Sequence, residues 1–176
     1  MISRGRATRI NQVGHKIILG IGNPLGGDDA VGSLVARIIN ERLAAESSAP
    51  NLSTPPQYTI AAIDTGSVPE SYTSVIRRKQ PEQLVLVDAA DMGLPPASIR
   101  LLSPEKITTP SFSTHSMPLS TLISYVREFC GQLYIIGIQP KSTKAGGRLS
   151  VPVRKSGERV AELILEGRLD ELKALE

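Results

Sequence analysis

Cysteine is nearly absent: a single residue, Cys130, in a chain of 176 excludes a disulfide framework and any cysteine-rich zinc module. Only two histidines are present, so a metal site built on imidazole has few to draw on. Tryptophan is missing and aromatics make up 3% of the residues, which argues against base-stacking platforms and aromatic cages. No apolar run approaches the ~20 residues of a membrane span, so membrane insertion is not expected. Charge of one sign is also scarce. Twenty Lys and Arg against seventeen Asp and Glu leave +3, with no clustering of the kind a nucleic-acid partner requires.

What is present fits one soluble α/β domain with enough length to bury a core unaided. Residues 1–15 read as a basic tail, with Arg4, Arg6 and Arg9 and no acid or apolar signal region, and residues 16–176 as the domain. Lys16–Ile21 is a short apolar strand running into a glycine-rich turn. The stripe Val31, Leu34, Val35, Ile38, Ile39 marks a helix over 28–43. A Pro/Ser-rich loop spans 46–57, and 58–63 is a second strand closed by Asp64. Ser67 and Glu70 have capping-box spacing, which predicts a helix through Lys79. Leu84–Val87 is apolar on both faces and belongs in the middle of a covered sheet, ending at Asp88. A short edge strand at 98–102, a polar loop at 111–116, a helix entered at Pro118 and a strand at 132–139 follow. Val160, Ile164, Leu165, Leu169 and Leu172 mark a last helix. Strands alternating with helices predict a three-layer α/β/α sandwich around a mostly parallel sheet of about five strands.

The turn Gly20–Gly27 lies where a dinucleotide fingerprint would, between a strand and a helix. Pro24 removes one of its amides, and Asp28 and Asp29 place negative charge where a pyrophosphate would sit, so nucleotide binding is the weaker reading. One aspartate of that pair suffices to cap the helix, leaving Asp29 free to face a cleft. Asp64 and Asp88 each end an apolar strand, at the sheet edge where ligands collect in open α/β folds, although turn and cap roles are common there. His115 precedes a helix on the same side. An imidazole with two carboxylates suits a borderline divalent ion such as nickel or zinc, held weakly without thiolates. The segment 141–152, with Lys141, Lys144, Arg148 and a Gly146–Gly147 pair, is expected to overhang that edge as a loop.

Five blocks in order now carry a family resemblance: Gly20-Ile-Gly22-Asn23 through Gly27-Asp28-Asp29 to Gly32; Asp64-Thr65-Gly66-Ser67 with Pro69; Val87-Asp88-Ala89 with Asp91-Met92-Gly93; Thr114-His115 with Met117-Pro118-Leu119; and Gly137-Ile138-Gln139-Pro140. The chain resembles the nickel-iron hydrogenase maturation endopeptidases, in particular the branch that processes hydrogenase-3-type, formate-hydrogenlyase-related large subunits. The resemblance implies an aspartic-type, cytoplasmic endopeptidase that removes the C-terminal extension of a nickel-loaded large-subunit precursor. It implies nickel recognised in the substrate rather than held permanently, through Asp29, Asp88 and His115. Asp64 falls at the family's acidic position, here followed by Thr65 where a glycine is usual, and is the candidate for activating water. A non-catalytic nickel-binding checkpoint for the same precursor is the alternative.

Overall fold

The computed structural model describes residues 14–47, 58–107 and 117–176. Most of the expected basic tail, most of the 46–57 loop and the whole polar loop at 111–116, His115 included, lie outside the described residues. Gly14 and His15, placed in the tail by the sequence, instead open the first strand.

Five strands form one sheet: β1 (Gly14–Ile21), β2 (Tyr58–Gly66), β3 (Gln83–Ala89), β4 (Ile99–Leu101) and β5 (Gln132–Ile138). They lie in the order β2-β1-β3-β5-β4, all parallel except β4, which runs antiparallel to β5. The helices α1 (Val31–Ser47), α2 (Thr73–Lys79), α3 (Leu119–Val126) and α4 (Val151–Glu166) cover both faces. The expected sandwich is therefore the observed one.

The apolar run of β3 explains why. Leu84, Val85, Leu86 and Val87 are all fully buried, and their alternation sends them to two different cores. Leu84 and Leu86 join Ile17, Leu19 and Ile21 against Ile76 of α2 and Leu122, Ile123 and Val126 of α3. Val85 and Val87 join Ile18 and Ile136 against Val31, Val35 and Ile39 of α1 and Val160 and Ile164 of α4. Each such side chain contributes about 2 kcal/mol on burial, so β3 could leave neither face open.

Two glycines set how closely α1 lies on the sheet. A Cβ on Gly20 would come within 2.1 Å of the Gly32 carbonyl oxygen, and one on Gly32 within 2.1 Å of the Ile21 oxygen and 2.3 Å of the Val87 oxygen. The first turn of α1 thus rests directly on the ends of β1 and β3.

Three helix boundaries differ from expectation. The segment after Gly27 begins as a 3-10 turn, Gly27–Ala30, before α1 proper. Ser67 and Glu70 form no capping box: a 3-10 turn, Pro69–Tyr72, precedes α2, with no side-chain cap at either start. The last helix begins at Val151, with Pro152 in its first turn, and stops at Gly167. Leu169 continues the apolar stripe from a separate 3-10 turn, and Leu172 follows in extended backbone.

Candidate active site

The strand order defines where a ligand crevice must open. From β1 the chain crosses to β2 on one side and then returns to β3 on the other, so the connections diverge between β1 and β3. Outside the carboxyl ends of those two strands lies the natural binding crevice of such a sheet. A cleft of about 640 Å³ opens there, within the usual range for ligand sites, and Asp29, Asp88, Asp91, Gln139 and Lys141 line it.

Asp29 reaches the cleft from the turn after β1. Asn23 folds that turn by accepting the Leu25 amide at its side-chain oxygen (3.0 Å) and the Gly26 amide at its carbonyl (2.9 Å). Its own amide then donates to Asp29 Oδ2 at 3.1 Å, fixing the carboxylate. Asp88 enters from the end of β3, partly open to the cleft but otherwise enclosed by protein. Burial, reinforced by the Asp29 charge and only partly offset by the Ala89 amide, pushes its carboxyl up to about 8. A divalent ion placed beside both carboxylates would relieve the conflict between the Asp29 charge and ionisation of Asp88. The two thus fit a cation as a pair.

Asp64, the third expected carboxylate, is not brought into the cleft. Its register partner Gly20 also pairs with Val87, whose side chain packs under α1, so Asp64 shares that face while Asp88 points to the other. Asp64 Oδ1 accepts the Ser33 hydroxyl of α1 at 2.7 Å and the Gly66 amide at 3.0 Å. It ties β2 to α1.

The capping role expected of one aspartate in the Asp28–Asp29 pair is overturned. Asp28 is 1% exposed and the turn it occupies has no side-chain cap. Its carboxylate instead holds the far segment 141–150, whose Lys141, Ser142 and Thr143 form a wall of the cleft. The segment overhangs the cleft as expected, although its last two expected residues, Val151 and Pro152, already belong to α4.

Sequence reasoning gave no role to Gln139, which is 7% exposed at the end of β5. Its Oε1 accepts the Met92 amide at 2.7 Å and the Leu94 amide at 3.2 Å, while its Nε2 donates to Asp91 Oδ1 at 3.2 Å. Gln139 thus pins the loop after β3 and orients a further carboxylate, Asp91, at the rim. The rule that singled out Asp64 and Asp88, a polar residue ending an apolar strand, applies to Gln139 as well.

A three-layer α/β fold with a cleft at its switch point defines a ligand-binding α/β protein, and comparison with known proteins narrows it. A family model described as HycI, hydrogenase maturation protease, matches residues 39–167. The hydrogenase 3 maturation protease of Escherichia coli K12 is 36% identical over 152 residues, covering 86% of this chain and 88% of that one. Among solved structures, the endopeptidase HycI from Escherichia coli superposes with a TM-score of 0.73 at 33% identity, covering 92% of this chain and 96% of that one. The [NiFe] hydrogenase maturation protease HycI from Thermococcus kodakarensis KOD1 gives 0.71 at 34% identity, covering 88% and 92%. The chain belongs to the hydrogenase maturation protease family, in its hydrogenase-3 branch, and is a peptidase of hydrogenase maturation. No helix among the described residues is long and apolar enough to cross a membrane.

Proposed function

We propose that the chain removes the C-terminal extension of a hydrogenase large-subunit precursor in the cytoplasm, and that it engages the precursor through the nickel already bound there. Asp29 and Asp88 supply two ligands and His115 the third. The observation that carries this reading is the pairing of Asp29 and Asp88 in one cleft, where burial and the Asp29 charge disfavour ionisation of Asp88, a conflict that a cation would relieve.

The donor set supports recognition of nickel in a substrate over permanent storage. Two carboxylates and one imidazole form a weak site on their own. A precursor that brings its own ligands needs only completion of its coordination sphere. Selecting loaded over empty precursor by ~100-fold takes ~2.7 kcal/mol, within reach of one or two metal–ligand bonds.

Water activation, expected of Asp64, finds no support in the orientation of its carboxylate. Its place on the opposite face favours a positional role, which a conservative substitution tests below.

The direct test incubates the purified protein with folded precursors that differ only in nickel. Cleavage of the loaded form alone, lost in Asp29→Asn, Asp88→Asn and His115→Ala, is the expected result. Equal cleavage of both forms overturns nickel recognition. Tight binding of the loaded form without cleavage would make the protein a checkpoint instead.

A further inference from the structure

The segment 141–150 is exposed over most of its length, yet it forms one wall of the cleft. Its two ends are anchored by a single buried carboxylate. Asp28 Oδ2 accepts the amides of Lys141 (2.8 Å) and Ser142 (3.1 Å) and the hydroxyl of Ser150 (3.0 Å), and Oδ1 accepts the Ser150 amide (2.6 Å). Both ends of the segment are thereby drawn to one group. Further bonds lace its middle to the same turn: the Asp28 amide donates to the Ser142 oxygen (3.0 Å), and the Gly146 amide to the Leu25 oxygen (2.8 Å). A bridge joins Gly26 to Gly147. The next residue along from the clamp is Asp29.

We propose that Asp28 is a positioning residue, whose carboxylate locks the 141–150 wall and the Asp29 turn into one unit, so that the precursor meets both in a single preformed arrangement. The proposal rests on the reading of the cleft as the place where the precursor docks. The exposed cations Lys141, Lys144 and Arg148 give that wall charge to offer an incoming chain. Without the clamp, wall and turn would sample separate positions, and binding would have to select the minor population in which they agree. Selection of that kind weakens apparent affinity by the competent fraction and leaves the bound complex unchanged.

Asparagine at position 28 is the informative variant because it keeps the shape and cannot keep the bonds. Whichever way its amide is turned, an NH2 group faces at least one donor that the carboxylate accepted. The same three cations are trypsin sites and report on the segment directly. In Asp28→Asn, at a temperature where circular dichroism shows the fold intact, nicking at Lys141, Lys144 and Arg148 should accelerate about tenfold. KM for the nickel-loaded precursor should rise about tenfold while kcat stays within about twofold. A residue that merely stabilised the fold would lower the active fraction, reducing kcat at unchanged KM, and that result overturns the proposal. So does nicking at the wild-type rate.

Ser150→Ala removes only the hydroxyl bond and should move both readouts in the same direction by a smaller factor. It serves equally if Asp28→Asn does not fold, and unchanged nicking and KM in Ser150→Ala would then overturn the clamp. If the wild-type protein fails to cleave the precursor at all, the functional reading fails. The nicking measurement still decides whether Asp28 holds the wall.

Discussion

Asp29 helps to keep the proton on Asp88. The two side chains enter one cleft from the ends of neighbouring strands, and the charge on the first adds to burial in holding the second at about 8. An aspartic acid is thus kept largely neutral at physiological pH in the free protein, in a position that suits a ligand.

That arrangement costs fold stability, with a definite sign. The folded carboxyl retains a proton that the unfolded chain loses from about pH 4 upward, so Asp88 makes the protein less stable as pH rises from about 4 to 8. Asp88→Asn removes the ionisation. In thermal denaturation without metal, the variant should match wild type near pH 4 and exceed it by about 2 kcal/mol or more at pH 8. A difference that does not change with pH would refute the assignment.

Asp28 carries the opposite sign. Burial raises its carboxyl, but the hydrogen bonds from Ser150, Lys141 and Ser142 outweigh burial and hold it below the usual carboxylate range. Its stabilisation is complete above the ordinary value near 4 and is lost as pH falls through the depressed folded value. Asp28→Asn should cost about 2–4 kcal/mol in urea denaturation at pH 7, from one or more lost charge-assisted bonds. The deficit should shrink toward zero in strong acid.

Gly32 tolerates no side chain. A methyl group there would meet two backbone oxygens that cannot yield independently, so α1 must lift from the sheet. Gly32→Ala should cost about 3 kcal/mol or more and displace the Asp29 turn with the helix. Loss of precursor cleavage in whatever fraction remains folded, read by activity per folded molecule, would confirm that the two are mechanically joined.

Asp64→Asn can retain both bonds that Oδ1 makes, to Ser33 and Gly66, while removing the basic group. If Asp64 is positional, cleavage of the nickel-loaded precursor should stay within about threefold of wild type. A fall of ~100-fold would return water activation to this carboxylate.

The sequence made the layers legible because β3 advertises them: four consecutive apolar residues can be satisfied only by cover on both faces. It also gave the correct sheet edge for Asp88, since strand ends are visible as the point where apolar runs stop. It did not give the face. Asp64 and Asp88 look alike as strand-end aspartates, and only the pairing of β2 with β1 and β1 with β3 shows that they point opposite ways. Asp28 was hidden for another reason. A cap and a clamp both call for a short carboxylate at a turn, and the donors that decide between them lie more than a hundred residues away. The end of the last helix misled because Leu169 keeps the helical stripe in phase while the backbone has already left the helix at Gly167.

The divergence of the connections between β1 and β3 has a consequence for newly made chains. Asp29 and Asp88 are far apart in sequence and become neighbours only when those two strands have paired. A nascent or misfolded copy therefore carries the same carboxylates without the paired arrangement they have in the folded cleft. If the pair engages nickel as proposed, such a copy cannot compete for the metal, nor sequester a finished partner, until its own assembly is complete.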